Sequence, residues 1–155
     1  MIKKKVRNIL VPLDGSKNSI RGLDAAIHIA RQCQAVIIGI NVLPVSTFAA
    51  IQPTDFMPAY STLQSYDIIK HLKKNAKNFL ESAKLKAAKQ GILFKTKIMQ
   101  GQPGHDIISV AHDKKNKIDL IVIGSRGMSL AKELFFGSTS NYVVHRAKTP
   151  VIIIK

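Results

Sequence analysis

The sequence is poor in several residue types, and each shortage excludes a class of protein. Cys33 is the only cysteine among 155 residues, so an intramolecular disulfide is excluded. It extends the apolar stripe of a predicted helix, which is typical of a packed core thiol. No apolar run approaches the roughly 20 residues that a bilayer-spanning helix needs, and no secretory segment follows the basic start of the chain. We therefore expect a cytosolic protein with no membrane association.

Acidic residues are also scarce. Nine aspartates and glutamates stand against 24 lysines and arginines, for a formal net charge of +15. Such a charge attracts polyanions of any kind, including nucleotides, nucleic acids and acidic membranes. Aromatic residues make up 6% of the chain, and basic residues are spread over most predicted elements, which disfavours nucleic-acid binding. We interpret the lysines of the long predicted helix as a solvated face, with a nucleic-acid surface as the alternative: Lys70, Lys73, Lys74, Lys77 and Lys84.

Several site motifs are missing. The chain contains neither the G-x-x-x-x-G-K-[ST] phosphate loop nor the G-x-G-x-x-G dinucleotide fingerprint. Its five histidines are scattered, without the paired spacing of a zinc site. No paired carboxylates or nucleophile–base set can be recognised. We therefore predict no catalytic residue and no metal bound by the protein itself.

Segments with strand and helix patterns alternate along the chain. Predicted strands cover 6–13, 35–43, 92–99, 118–123 and 150–155, and predicted helices cover 18–32, 64–90, 104–113 and 138–146. This alternation predicts one α/β domain over residues 1–155, an open, doubly wound sheet of five parallel strands with helices on both faces, as in Rossmann-like folds. We expect the strand order 3-2-1-4-5, in which the first and fourth strands flank the switch point. Ligands bind such sheets beyond the carboxyl ends of the strands.

Residues 44–63 are the irregular part of the chain. The segment contains Pro44, Pro53 and Pro58 and shows little periodicity. An irregular loop of this length is uncommon in a compact domain unless it is mobile or functional. We keep two interpretations, a loosely packed loop and a lid over the binding site.

The most informative segment lies between the fourth predicted strand and the last helix. Gly124 and Gly127 follow the strand, and Gly137 precedes three hydroxyl residues where the helix begins: Ser138, Thr139 and Ser140. Glycines let backbone N–H groups approach a ligand closely, and a helix N-terminus offers unpaired N–H donors. This pattern predicts a phosphate cradle.

Two further candidates follow the first and second strands. Asp14 comes directly after the apolar run that ends at Leu13, where a carboxylate suits ribose hydroxyls. A turn or helix-capping role explains Asp14 equally well. At the end of the second strand, two interpretations stay open: exposed backbone at Val42 that binds an adenine edge, and a plain buried strand end.

The chain resembles the universal stress protein family along essentially its whole length. The opening Ile9-Leu-Val-Pro-Leu-Asp-Gly-Ser16 looks like the family's first strand and turn, and Gly124, Gly127, Gly137 and Ser138 fit the pattern G-x2-G-x9-G-[ST] of its ATP-binding branch. The resemblance implies an adenine nucleotide alpha hydrolase-like fold and an ATP site with Mg²⁺ or Mn²⁺ bridged through the phosphates. The implied site consists of Pro12, Leu13, Asp14, Val42, Ile123, Gly124, Arg126, Gly127, Gly137, Ser138, Thr139 and Ser140. Thr139 and Arg126 match the family pattern less closely than the glycines do.

The resemblance also implies a homodimer that pairs through residues 150–155, and a role as a nucleotide-dependent regulator or sensor of stress. We hypothesise that nucleotide occupancy orders residues 44–63. Rival interpretations are a sensor of AMP, ADP or cyclic AMP, a slow ATPase, and a basic nucleic-acid-binding module. Whether the protein is an enzyme stays open at this point.

Overall fold

The structure is a computed structural model that describes residues 5–46, 60–127 and 136–155, and within 60–66 only the backbone. Strands and helices alternate through these residues. They are β1 (Asn8–Pro12), α1 (Lys17–Cys33), β2 (Val36–Pro44), α2 (Tyr60–Ala88), β3 (Phe94–Gly101), α3 (Pro103–His112), β4 (Leu120–Gly124), α4 (Ser138–Arg146) and β5 (Val151–Ile154). No helix in the described ranges is long and apolar enough to cross a membrane.

The strands form one sheet in the order β3-β2-β1-β4-β5, and every neighbouring pair is parallel. The predicted fold class is therefore confirmed. The predicted irregular segment 44–63 is shorter than expected, because Pro44 still pairs with Gly101 in the sheet and α2 already begins at Tyr60. Residues 47–59, including Pro53 and Pro58, lie outside the described residues.

Local hydrogen bonds explain where the helices begin and end. Ser16 is the N-cap of α1, and its hydroxyl accepts a hydrogen bond from the Ser19 amide at 3.1 Å. Such a cap satisfies one of the donors that the first helical turn leaves unpaired. Gly91 follows α2 with a φ of 72°, a left-handed conformation that glycine adopts without strain.

Apolar side chains fill both faces of the sheet, as expected for a doubly wound fold. The first core lies between the sheet and the helices α1 and α2, and half-buried Cys33 packs against it. The second core lies on the opposite face, under α3 and α4, and includes Ile107 and Val143. Strands covered on both sides need apolar residues at consecutive positions. Ile9, Leu10 and Val11 of β1 show this, since each is fully buried.

The centre of the sheet opens into a crevice at the carboxyl ends of β1 and β4. These strands pair directly at Ile9 with Leu120 and at Leu10 with Ile121. Beyond that point β1 continues beside β2 alone, as far as Pro12 opposite Ile40. The order of connection reverses between β1 and β4, which is where open α/β sheets bind ligands.

Candidate functional site

A cleft of about 330 Å³ occupies this crevice. Four segments that are distant in sequence contribute to it: the ends of β1, β2 and β4 and the start of α4. All twelve residues predicted from the sequence line the cleft: Pro12, Leu13, Asp14, Val42, Ile123, Gly124, Arg126, Gly127, Gly137, Ser138, Thr139 and Ser140. The fold therefore brings the two sequence segments with Asp14 and the glycines to one place.

Hydrogen bonds to a single carbonyl hold the start of α4 against the end of β4. The Ser125 carbonyl accepts from the Gly137 amide at 2.8 Å and from the Ser140 hydroxyl at 2.7 Å. Ser140 is only 2% exposed, and its hydroxyl also lies 3.0 Å from the Gly137 carbonyl. The Ser140 hydroxyl proton is thus engaged within the protein. Ser140 lines the cleft, where its backbone amide remains as a donor of the first helical turn.

The first turn of α4 supplies the free donors. Gly137 is the N-cap, so the amides of Ser138, Thr139 and Ser140 belong to the first turn, where a helix has no internal acceptors. Aligned peptide dipoles add a partial positive charge at this end. The Ser138 side chain is exposed and Thr139 is half-buried, so their hydroxyls stand beside these amides. The arrangement suits the oxygens of a phosphate group.

The glycines allow close approach within the cleft. A Cβ atom on Gly127 would lie 2.6 Å from Oδ2 of Asp14, a distance that forces the carboxylate to move. Gly137 lies over the backbone of Arg126 and Gly127, with 3.4 Å from its ideal Cβ position to the Arg126 Cα. Gly137 therefore lies against the residues that directly follow β4, and Gly127 lies against the loop after β1.

Asp14 combines the two roles that the sequence left open. Its Oδ1 accepts a hydrogen bond from the Ser16 amide at 2.9 Å, which forms the turn into α1. The same side chain is exposed and lines the cleft beside Gly127. Its second oxygen remains directed at the region shared by the two loops. The Ser16 hydroxyl connects these loops as well, since it lies 3.4 Å from the Arg126 carbonyl.

The opposite wall of the cleft is apolar and ends in exposed backbone. The Leu13 amide donates to the Ile40 carbonyl at 2.8 Å, so Ile40 directs its backbone groups towards β1. Residues two apart in a strand direct their backbone groups to the same side. Val42 therefore presents its N–H and C=O on the β1 side, where the β1 ladder has already ended at Pro12.

Sequence reasoning missed several lining residues: Ser19, Ile40, Asn41, Leu43, Pro44, Pro103 and Ile107. Asn41 is the most informative of them. It is 8% exposed, and its Nδ2 donates to the Leu13 carbonyl at 2.6 Å, while its Oδ1 is buried without a partner in the described structure. A lone amide inside an apolar strand run is a signal that could have drawn attention. For Pro103, the turn 101–104 is explained by its structural role, with a ligand contact as the minor alternative. Ile107 carried no signal, because only the packing of α3 beside β2 brings it here.

Ionisable side chains are few in the described lining of the cleft. No group of three or more His, Cys, Asp or Glu side chains among them could hold a metal ion. Asp14 is the single carboxylate in the described lining of the cleft. His105 lies 3.1 Å from the Asp106 carboxylate on α3, but neither residue lines the cleft.

Comparison with known proteins agrees with this architecture. Residues 5–155 match the family model described as "Universal stress protein family". The universal stress protein YxiE of Bacillus subtilis is 35% identical over 149 residues, which are 95% of this chain and 97% of the relative.

Solved structures show the same fold. The universal stress protein UspA of Lactobacillus plantarum superposes with a TM-score of 0.80 at 27% identity, covering 97% of this chain and 99% of that one. A universal stress protein in complex with cAMP superposes with a TM-score of 0.65, and one from Archaeoglobus fulgidus in complex with dAMP with 0.64. Both are 23% identical to this chain; each alignment covers 97% of it, with 97% of the cAMP complex and 99% of the dAMP complex. The chain belongs to the universal stress protein family.

Proposed function

We propose that the protein binds ATP in the cleft and acts as a nucleotide-dependent regulator or sensor in a stress response. One observation carries the proposal: residues from four distant segments, all singled out as an ATP site, line one cleft with a helix N-terminus at one end and apolar strand ends at the other. An adenosine and a chain of phosphates require these two environments side by side.

The apolar end suits adenosine. Ile40, Val42 and Ile107 offer an apolar surface to the adenine ring, and the Val42 backbone offers one donor and one acceptor to its edge. The free oxygen of Asp14 accepts hydrogen bonds from ribose hydroxyls. Because the Asn41 side chain holds the Leu13 carbonyl, the loop with Asp14 keeps its position relative to β2.

The polar end suits the phosphates. The amides of Ser138, Thr139 and Ser140 donate to phosphate oxygens, and Arg126 adds a fixed positive charge. A Mg²⁺ or Mn²⁺ ion would be bound chiefly by the phosphates, since the described residues contain no metal-binding cluster. The ion would neutralise phosphate charge; the protein's own contribution is to orient the nucleotide.

A ligand with one phosphate is the second candidate. The two nucleotide complexes among the structural neighbours contain cAMP and dAMP, each with a single phosphate. The same amides would hold that phosphate. These neighbours support an adenine nucleotide as the ligand class, and the choice between ATP and AMP-type ligands needs a binding experiment.

We propose a binding protein rather than an efficient hydrolase. Hydrolysis requires a group that activates water. Asp14 is the single carboxylate in the described lining of the cleft, and its two oxygens are used by the Ser16 amide and, in this proposal, by the ribose hydroxyls. Slow ATP hydrolysis remains the alternative activity of the same cleft. We further propose that two copies associate through β5, an edge strand that exposes Ile152, and that the protein works in the cytosol.

Calorimetric titration of the nucleotide-stripped protein tests the proposal. ATP, ADP, AMP and cyclic AMP are titrated with and without magnesium into the wild type, the Gly127→Val variant and the Gly91→Asn control. Gly127→Val places side-chain atoms against the Asp14 carboxylate, whereas nothing lies within 4 Å of the Gly91 Cβ position. We expect ATP binding in the wild type and the control and its loss in Gly127→Val. Failure of the wild type to bind any of the four nucleotides would overturn the proposal.

A further inference from the structure

The fold gathers lysines of two elements at one edge of the molecule. Lys70, Lys73, Lys74 and Lys77 of α2 are all exposed, and their spacing of three and four residues places them on one flank of the helix. No ion pair is formed by these four lysines with any described carboxylate; the pairs on α2 involve Lys84 and Lys86 instead. We refer to these four residues as the lysine stripe.

The contact between α2 and α1 fixes the direction of the stripe. Nζ of Lys86 lies 2.5 Å from Oδ1 of Asp24 in α1, so the flank of α2 with Lys86 faces α1. Lys77 precedes Lys86 by nine residues and therefore lies about half a turn away around the helix. Since α2 packs on β2 and β3, the lysine stripe faces away from α1 and lies over the outer edge of β3.

β3 continues the positive charge around the edge. Lys95 is exposed and Lys97 is half-buried, and both share one side of the strand with Met99. Met99 packs into the second core, which lies on the face opposite to α2. The edge of the sheet at β3 thus presents ammonium groups on both of its faces.

We propose that this edge binds nucleic acid through the sugar-phosphate backbone, without regard to base sequence. One helical turn rises 5.4 Å, so the ammonium groups of the lysine stripe follow one another in a line along α2. One nucleic-acid strand can lie along this line with successive phosphates in contact with lysines. Lysine serves phosphate as a compact point charge. Among the described side chains, the exposed aromatic ones are Phe136 and Tyr142, and both lie at α4 rather than at this edge, so the proposal rests on phosphate contacts and not on base stacking.

Other polyanions fit this edge less well. A protein partner is usually anchored by aromatic or arginine side chains, and a membrane-surface helix needs an apolar face turned to the lipid. Leu80, Ala83 and Ala87 of α2 are buried against the sheet. The exposed Ile68 and Leu85 of α2 lie 17 residues apart and form no continuous apolar face. A sugar-phosphate backbone requires only the charges.

Fluorescence anisotropy with a labelled DNA duplex tests this inference. The stripe variant is Lys70→Glu, Lys73→Glu and Lys77→Glu. The control variant changes three exposed lysines elsewhere, Lys114, Lys115 and Lys148, to Glu and therefore alters the net charge equally. We expect the stripe variant to lose about tenfold or more in affinity and to lower the salt slope by roughly 2 to 3, and the control to stay within about threefold of the wild type.

Circular dichroism and ATP titration establish that each variant is folded. If the three glutamates unfold α2, a variant with glutamine at positions 70, 73 and 77 replaces the stripe variant. The inference does not depend on the nucleotide cleft, since Gly127→Val should bind the duplex like the wild type. Equal losses of duplex affinity in the stripe and control variants would show an effect of net charge alone and would overturn the inference. Unchanged duplex binding in the stripe variant would also overturn the inference. The same variants are tested for binding to phosphatidylserine vesicles, and a loss of vesicle binding without a loss of duplex binding would overturn it too.

Discussion

At the scale of single residues, Asp14 shows how one side chain serves both the fold and the cleft. One carboxylate oxygen closes the turn into α1 through the Ser16 amide, and the other lies beside Gly127. Asparagine keeps an oxygen that can accept from the Ser16 amide and removes the negative charge. The two roles can therefore be separated by substitution.

We predict that Asp14→Asn weakens ATP binding by about tenfold, because a hydrogen bond to a charged group contributes roughly 1.5–3 kcal/mol, while the free energy of unfolding changes little. Asp14→Ala should lower both the ATP affinity and the free energy of unfolding, since it also removes the hydrogen bond from the Ser16 amide that forms the turn into α1. Calorimetry and urea denaturation measure the two effects. If Asp14→Asn bound ATP as tightly as the wild type, Asp14 would have only the structural role.

Single residues also show the limit of sequence reasoning. The hydroxyl of Ser140 stands in a row of three after Gly137 and looked available to phosphate, yet it is buried against the Ser125 carbonyl. Nothing in the sequence distinguishes it from Ser138, which is exposed. The difference arises from the helical phase of α4, which turns Ser140 inward and Ser138 outward.

At the scale of elements, a contact between glycines sets the distance between α1 and β4. An ideal Cβ on Gly22 would lie 3.4 Å from the Gly124 amide nitrogen, and one on Gly124 would lie 2.6 Å from the backbone carbon of Asn18. The first turn of α1 thus rests directly on the end of β4. This contact keeps the loop with Asp14 close to the loop with Gly127.

We predict that Gly124→Ala destabilises the protein by about 1–3 kcal/mol, because the added methyl group meets backbone atoms that no rotamer change can move. The matched control is Gly137→Ala, whose Cβ finds its nearest neighbour at 3.4 Å and which should cost at most about 1 kcal/mol through a poorer N-cap. Urea denaturation gives both values. Equal stability of Gly124→Ala and the wild type would contradict the packing described for α1 and β4.

The order of elements and the parallel sheet could be predicted because alternating strands and helices leave few topologies open. The strand order 3-2-1-4-5 is expected from the likeness to doubly wound nucleotide-binding folds. The glycine spacing likewise located the carboxyl end of β4 and the start of α4 in the site. The contribution of α3 could not be predicted, since Pro103 and Ile107 reach the cleft only through packing against β2. The direction of the lysine stripe also required the Lys86–Asp24 pair, which joins residues distant in sequence.

At the scale of the whole molecule, the two edges of the sheet differ in character. β5 reads Val-Ile-Ile-Ile, with Ile152 37% exposed. β3 alternates lysines with other residues and has Ile98 41% exposed. An apolar edge strand invites pairing with another chain, and lysines on an edge strand discourage it.

We predict that the wild type sediments as a dimer and that Ile152→Glu sediments as a monomer, because the new charge lies at the proposed interface. Ile98→Glu is the matched control, since it places the same charge on an isoleucine of similar exposure at the opposite edge, and it should remain a dimer. Sedimentation velocity measures both. Dimers of Ile152→Glu would exclude β5 as the interface, and a monomeric wild type would exclude the dimer itself.

The lysines of β3 have a further consequence for how far self-association can proceed. Joining two sheets through β5 leaves β3 at both outer ends of the combined sheet. A third copy would have to add its own apolar strand to a border with Lys95 and Lys97 on it, against the charge of a protein whose formal net charge is already +15. In the proposed dimer these lysines therefore disfavour growth into fibres, and we expect self-association through strand pairing to end with two copies.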